Sequence, residues 1–159
     1  MKTPKKILVP IDLSDSSVAA IVYAHEVARF FNASLTILNV VDVGDEGVVF
    51  PPEALGTKEV RSYLVSKRKG KIKQFLKNFP AIKSSDHKLI VISGSPAREI
   101  VTYAKSAIMD LIVMSTHGRS GMPHLILGSV AEKVVRYAEC PVLTLKPEHV
   151  EGLTPVFSP

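Results

Sequence analysis

The sequence lacks most features that mark secreted, membrane-spanning or metal-dependent proteins. Its single cysteine, Cys140, excludes an internal disulfide and fits a reducing compartment. No apolar run reaches the ~18 residues of a membrane helix. The start, MKTPKKILVPIDL, is basic, but its apolar run is short and meets Pro10 and Asp12, which makes a poor signal peptide. The expected location is therefore the cytoplasm, with no membrane partner. No Gly-Lys-[Ser/Thr] occurs, since Val130 follows Gly128-Ser129, so there is no Walker loop. His117 and His124 do not have a metal-ligand spacing such as His-Glu-x-x-His, and no metal ligand set is assigned.

What is present describes an ordinary soluble domain. A chain of 159 residues argues for one domain. At this size about 70% of the unfolded surface can be buried without a disulfide or metal to assist. Apolar residues make up 46% and charged residues 22%, which is usual for a globular protein. The net charge of +5 is concentrated between Lys58 and Lys77, where eight Lys/Arg face only Glu59. Val60, Leu64, Ile72, Phe75 and Phe79 recur there at roughly helical spacing, so the segment reads as an amphipathic helix with a solvated basic face. No aromatic interleaving points to base stacking, and nucleic acid is not an expected partner.

Strand and helix signals alternate. KILVPI (Lys6 to Ile11) reads as a strand, and DLSDSS after it is rich in helix-capping residues. Ser16 to Phe31 reads as a helix from the spacing of Ala20, Ala24, Val27 and Phe31, with Asn32 as a left-handed stop. SLTILNVV (Ser34 to Val41) is the second strand, followed by a long Gly/Pro/acidic loop and the basic helix to about Asn78. KLIVIS is the third strand. In GSPAREI, Ser95 can cap and Pro96 suits the first turn of a helix carrying Ile100, Val101, Ala104 and Ile108 on one face. DLIVMS is the fourth strand. Gly128-Ser129 begins a helix expected to turn Val130, Val134, Val135 and Ala138 inward, and CPVLTLK is the fifth strand. Residues 1–146 form the domain and 147–159 read as a tail.

The strands are continuous apolar runs, so both faces of the sheet are covered by helices and the strands are parallel. The expected fold is α/β, a Rossmann-like three-layer arrangement with strand order 3-2-1-4-5. Ligands bind such sheets beyond the strand carboxyl ends, where the winding direction reverses. Two polar segments meet there: PIDLSDSS after strand 1 and STHGRSGMPHLILGS after strand 4. Gly118 and Gly121 permit close backbone approach. Gly128, Ser129 and Val130 present N–H groups at a helix start, where the macrodipole favours an anion. Arg119 could screen terminal phosphates, and Asp12 could bind ribose hydroxyls or hydrated Mg²⁺. A side chain at position 128 is expected to block phosphate and leave the fold intact. Cys140 reads as a packed small hydrophobe.

These segments resemble the universal stress protein family from Lys5 to about Lys146. The resemblance rests on KILVPIDLSDSS, on GSPAREI and above all on STHGRSGMPHLILGSVAEKVVRYAECPVLTLK. Nucleotide-binding members carry Gly-x2-Gly-x9-Gly-[Ser/Thr], and here the pattern runs Ser115-x2-Gly118-x9-Gly128-Ser129, with serine in place of the first glycine. The resemblance implies a homodimer that binds ATP, ADP or AMP with Mg²⁺. It implies that Pro10, Ile11 and Asp12 contact adenosine and that Val40 or Val41 offers backbone groups to adenine. Met114, Ser115, Gly118 and Arg119 would line ribose and phosphates, with Gly128, Ser129 and Val130 capping the phosphate chain.

Three functions are compatible with this. One is a regulatory ATP-binding module read by other proteins under stress. Another is a slow ATPase or self-phosphorylating protein, for which His117 is the base or phosphoacceptor to consider. The third is a dimeric interaction protein that has lost its nucleotide. Absence of an obvious water-activating base favours the first over the second, and retention of Asp12, Gly118, Gly128 and Ser129 favours it over the third. The last strand, with Val142, Thr144 and Lys146 alternating along one side, is the expected dimer edge.

Overall fold

The computed structural model describes residues 3–42, 57–83, 87–116 and 127–146. The elements in chain order are β1 (Lys6–Ile11), α1 (Asp15–Phe31), β2 (Ser34–Val41), α2 (Lys58–Leu76), α3 (Pro80–Lys83), β3 (His87–Ser93), α4 (Pro96–Ser106), β4 (Leu111–Ser115), α5 (Ser129–Tyr137) and β5 (Val142–Leu145). The five strands form one parallel sheet in the order β3-β2-β1-β4-β5, the order expected from the apolar runs. No helix among the described residues is long and apolar enough to cross a membrane.

Alternation along the strands builds two cores. Ile7, Val9, Leu35, Ile37 and Val113 pack beneath α1, α2 and α3. Leu8, Leu38, Ile112 and Met114 pack beneath α4 and α5. Burial on both faces explains why the strands read as unbroken apolar runs.

Local chemistry fixes the helix ends. Ser14 caps α1 by accepting from the Ser17 N–H, and Asn32 ends the helix in the left-handed region at φ 49. The Ala33 N–H then reaches back to the Ala28 carbonyl at 2.8 Å, which satisfies a terminal carbonyl. Helix α2 turns Val60, Leu64, Arg68, Ile72 and Leu76 inward, one residue per turn.

Several local expectations are corrected. Ile108 does not continue the apolar face of α4. The helix ends at Ser106, and Ile108 adopts φ 52 as the left-handed residue of its C-terminal turn, with 74% of its surface exposed. Ser95 occupies the α4 N-cap position, but its side chain makes no capping bond. On α5, Ala131 and Val134 are the buried pair, and Val135 points outward. Helix α3 was not anticipated; Phe79 and Ile82 anchor it in the core.

The β1–β2 ladder runs the whole strand, from Lys6↔Ser34 to Ile11↔Asn39. The β1–β4 ladder holds only Ile7↔Leu111 and Leu8↔Ile112. Beyond Leu8 no further β1–β4 pair forms, and Pro10 has no N–H to give the ladder. The crevice lies beyond these strand ends, at the point where the winding direction reverses.

Candidate functional site

A cavity of about 300 Å³ occupies this crevice, at the lower end of the range for small-molecule sites. Its floor follows the strand ends. Leu38, Asn39 and Val40 line it over β2, Pro10 and Ile11 over β1, and Met114, Ser115 and Thr116 over β4. Helices close the sides, with Arg68 from α2, Pro96 and Ile100 from α4, and Ser129 to Ala131 from α5. Asp12, Ser17 and Asp42 add polar groups.

Asp12 lies at a knot of hydrogen bonds. Its Oδ1 accepts from the Ser14 N–H at 3.0 Å and from the Ser14 and Ser17 hydroxyls at 2.5 Å each. Its own N–H donates to Ser17 Oγ at 3.0 Å. One carboxylate oxygen is therefore committed to starting α1. Leu13, between Asp12 and the cap, is held at φ 68, a region that most non-glycine residues avoid. The strained turn directly follows Asp12, which lines the cavity, and backbone strain is often found in binding sites.

Gly128 is the N-cap residue of α5, at φ −66 and ψ 153, followed by Ser129 and Val130 in the first turn. Its N–H donates to the Thr116 carbonyl at 2.7 Å. Thr116 in turn donates its N–H to the Leu145 carbonyl at 2.9 Å, with its hydroxyl on the same oxygen at 3.2 Å. These bonds clasp the ends of β4, β5 and α5 together. A Cβ built on Gly128 would meet the Thr116 carbonyl oxygen at 2.9 Å. The glycine is thus required by the protein's own backbone. A side chain here strains the clasp before it meets any ligand, which revises the expectation of an undisturbed fold.

At the other end of the cavity, Asn39 is 1% exposed and donates from Nδ2 to the Ile11 carbonyl at 2.7 Å. Arg68 is 4% exposed. The spacing of the basic segment had placed this arginine with the solvated charges, but it points inward. Val40 lines the cavity, whereas Val41 packs its side chain against Val60 and Leu64 and accepts the Gly94 N–H on its carbonyl at 3.0 Å.

Of the residues singled out from sequence, Pro10, Ile11, Asp12, Val40, Met114, Ser115, Gly128, Ser129 and Val130 come together here. His117, Gly118, Arg119, Gly121 and His124 lie outside the described residues. Sequence reasoning missed Ser17, Asn39, Arg68 and Thr116. A polar Asn39 inside the apolar run ILNVV was the one readable signal. Among the described residues no cluster of His, Cys, Asp or Glu could hold a metal ion. Cys140 packs beside the α4/α5 core, and burial pushes its thiol above the ordinary range.

The sequence profile of the Universal stress protein family matches residues 3–146. The chain belongs to the universal stress protein family. Universal stress protein MJ0531 of Methanocaldococcus jannaschii is 37% identical over 142 residues, covering 89% of this chain and 82% of that protein. Universal stress protein UspA from Lactobacillus plantarum superposes with a TM-score of 0.74 at 26% identity, covering 91% of this chain and 99% of that one. A universal stress protein solved in complex with cAMP shares the fold, with a TM-score of 0.59 at 24% identity over 92% of this chain and 99% of that one.

Proposed function

We propose that this chain is a regulatory module that binds an adenine nucleotide, ATP before ADP or AMP, with Mg²⁺, and acts in the cytoplasm as a homodimer. The observation that carries this reading is the crevice itself. The cavity lies over the carboxyl ends of β2, β1 and β4, and the first turn of α5 stands at one end of it. A helix start offers free N–H groups and the positive end of a macrodipole to a phosphate. The residues present fit such a ligand. The Ser129 hydroxyl and the N–H groups of Ser129 and Val130 would hold phosphate, Pro10 and Ile11 would flank the ribose, and the Asp12 carboxylate would meet a ribose hydroxyl or hydrated Mg²⁺. The cAMP-bound relative lends the same fold to a similar ligand.

The dimer is assigned to β5, which hydrogen-bonds β4 on one side and forms one edge of the described sheet. A two-fold mate would pair its free side. A second reading, an interaction protein without nucleotide, draws on Ser115, which stands in the cavity wall where nucleotide-binding members of the family have glycine. Isothermal titration with Mg-ATP separates the two. The proposed function requires about one site per chain and a thermal upshift on binding. No heat and no upshift at millimolar Mg-ATP would refute it.

A further inference from the structure

The outer face of α2 carries a charge pattern that nucleotide binding does not use. Every fourth residue from Val60 to Leu76 is buried. Lys67, Lys69, Lys71, Lys73 and Lys77 are all exposed, and no acid occurs between Glu59 and Asp86. The other long helices are different. Arg29 pairs with Glu26 on α1, Arg98 with Glu99 on α4, Lys105 of α4 with Glu139, and Arg136 with Glu132 on α5. On α2, Lys67 and Lys71, Lys69 and Lys73, and Lys73 and Lys77 stand four residues apart, where like charges weaken a helix. The sequence thus keeps a repulsion that interleaved acids would remove.

Helical geometry sorts these lysines into two rows. At about 3.6 residues per turn, Lys67 and Lys71 run along one flank, and Lys69 and Lys73 along the other, continued by Lys77. Neighbours within a row are about 6 Å apart along the axis. Between the rows, opposite the buried side, lie Ser66, Gly70 and Gln74, all exposed. A Cβ added at Gly70 meets nothing within 4 Å, so packing does not require this glycine; it keeps the ridge low.

We propose that this ridge docks in the major groove of double-stranded DNA, with lysine–phosphate contacts that do not read sequence. The groove is about 12 Å wide and admits an α-helix, and a phosphate strand bounds it on each side. A low neutral ridge with a cation row on each flank matches that slot. A lipid surface fits less well, because an interfacial helix needs an apolar face. The exposed large hydrophobic residue of α2 is Tyr63, one turn before the patch, with the Lys67 ammonium 5.9 Å from its ring centre. Single strands bind on aromatic platforms, and no aromatic residue is exposed between Lys67 and Lys77. The major groove of duplex RNA is too narrow for side chains to read. The expectation that nucleic acid is not a partner rested on base stacking, which a groove contact does not use. None of the five lysines lines the cavity, so this surface stands apart from the nucleotide reading.

The test is fluorescence anisotropy with a labelled DNA duplex of about 20 base pairs, without nucleotide, between about 50 and 200 mM salt. Each phosphate neutralised contributes about −0.9 to the slope of log K against log salt, so five lysines predict about −4 to −5. Lys67→Gln/Lys71→Gln and Lys69→Gln/Lys73→Gln, one pair on each flank, should each make the slope shallower by about 2. Lys105→Gln/Lys133→Gln removes the same charge from exposed positions on α4 and α5 and should leave the slope unchanged. No binding to the duplex at the lowest salt, or a slope that either α2 pair leaves unaltered, would overturn the proposal. Duplex RNA, single-stranded DNA or phosphatidylserine vesicles bound as tightly as the DNA duplex would overturn it as well.

Discussion

Gly128→Ala changes one hydrogen to a methyl group, and its cost follows from the backbone around it. Gly128 sits at φ −66, a conformation alanine adopts freely, so no dihedral strain is involved. The penalty comes from contact. The new Cβ would lie 2.9 Å from the Thr116 carbonyl oxygen, an atom that cannot rotate away. To relieve the contact, α5 must move off the end of β4, which stretches the 2.7 Å bond from the Gly128 N–H to that same oxygen. A weakened backbone hydrogen bond costs about 1 kcal/mol, and a small overpacking strain adds about 1 kcal/mol or more. The expected loss is about 2 kcal/mol, or roughly 4–8 °C in Tm for a domain of this size. Gly70→Ala is the matched control. Gly70 lies mid-helix on the exposed side of α2, and an added Cβ there meets nothing within 4 Å, so it should gain about 1 kcal/mol from helix propensity. Thermal melts by circular dichroism measure both. If Gly128→Ala melts within a degree of wild type, the close approach of α5 to β4 is wrong.

Other substitutions probe separate parts of the account. Ile108→Gly should raise Tm by a few degrees, because a β-branched residue at φ 52 is replaced by the one that favours it and little burial is lost; an unchanged or lower Tm contradicts the strain. Cys140 should react slowly with iodoacetamide at pH 7, because burial raises its pKa and so lowers the thiolate fraction. Its rate should climb with pH through an inflection above the ordinary thiol value, and a rate at pH 7 equal to that of the unfolded chain would refute this. Leu143→Pro should give a monomer or an insoluble chain, since proline disrupts the edge strand; sedimentation showing an unaltered dimer would exclude β5 as the interface. Ser115→Gly should change ATP affinity by less than about tenfold, as a lost hydroxyl donor offsets a relieved Cβ. Binding by the glycine variant alone would mark Ser115 as the residue that closes the site.

The sheet was legible because its three central strands are buried on both faces, so burial and sequence carry the same signal there. Lys6–Ile11 and Ser34–Val41 match the apolar runs KILVPI and SLTILNVV residue for residue. Asn32 was legible because few residues tolerate its left-handed conformation. Arg68 was not. A run of cations at helical spacing looks the same whether one of them faces in or out, and only the packed neighbours Leu64 and Ile72 show that it faces in. Ile108 misled for a related reason: its apolar side chain fits the helical period, but the chain has already turned out of the helix. In the site, the glycine pattern pointed to the crevice that Gly128 and Ser129 line. It did not reveal that Gly128 is held by Thr116, because that contact joins two elements and leaves no local trace in the sequence.

The central claim is that a nucleotide lies across the strand ends with its phosphates on α5, and an amide NMR titration with Mg-ATP tests it most directly. The account predicts saturable shifts at the amides of Ser129 and Val130, at the Asp12 backbone and at the Asn39 side chain, with little change at the far end of α4 around Lys105. Shifts confined to other surfaces, or a spectrum that Mg-ATP leaves unaltered, would contradict it.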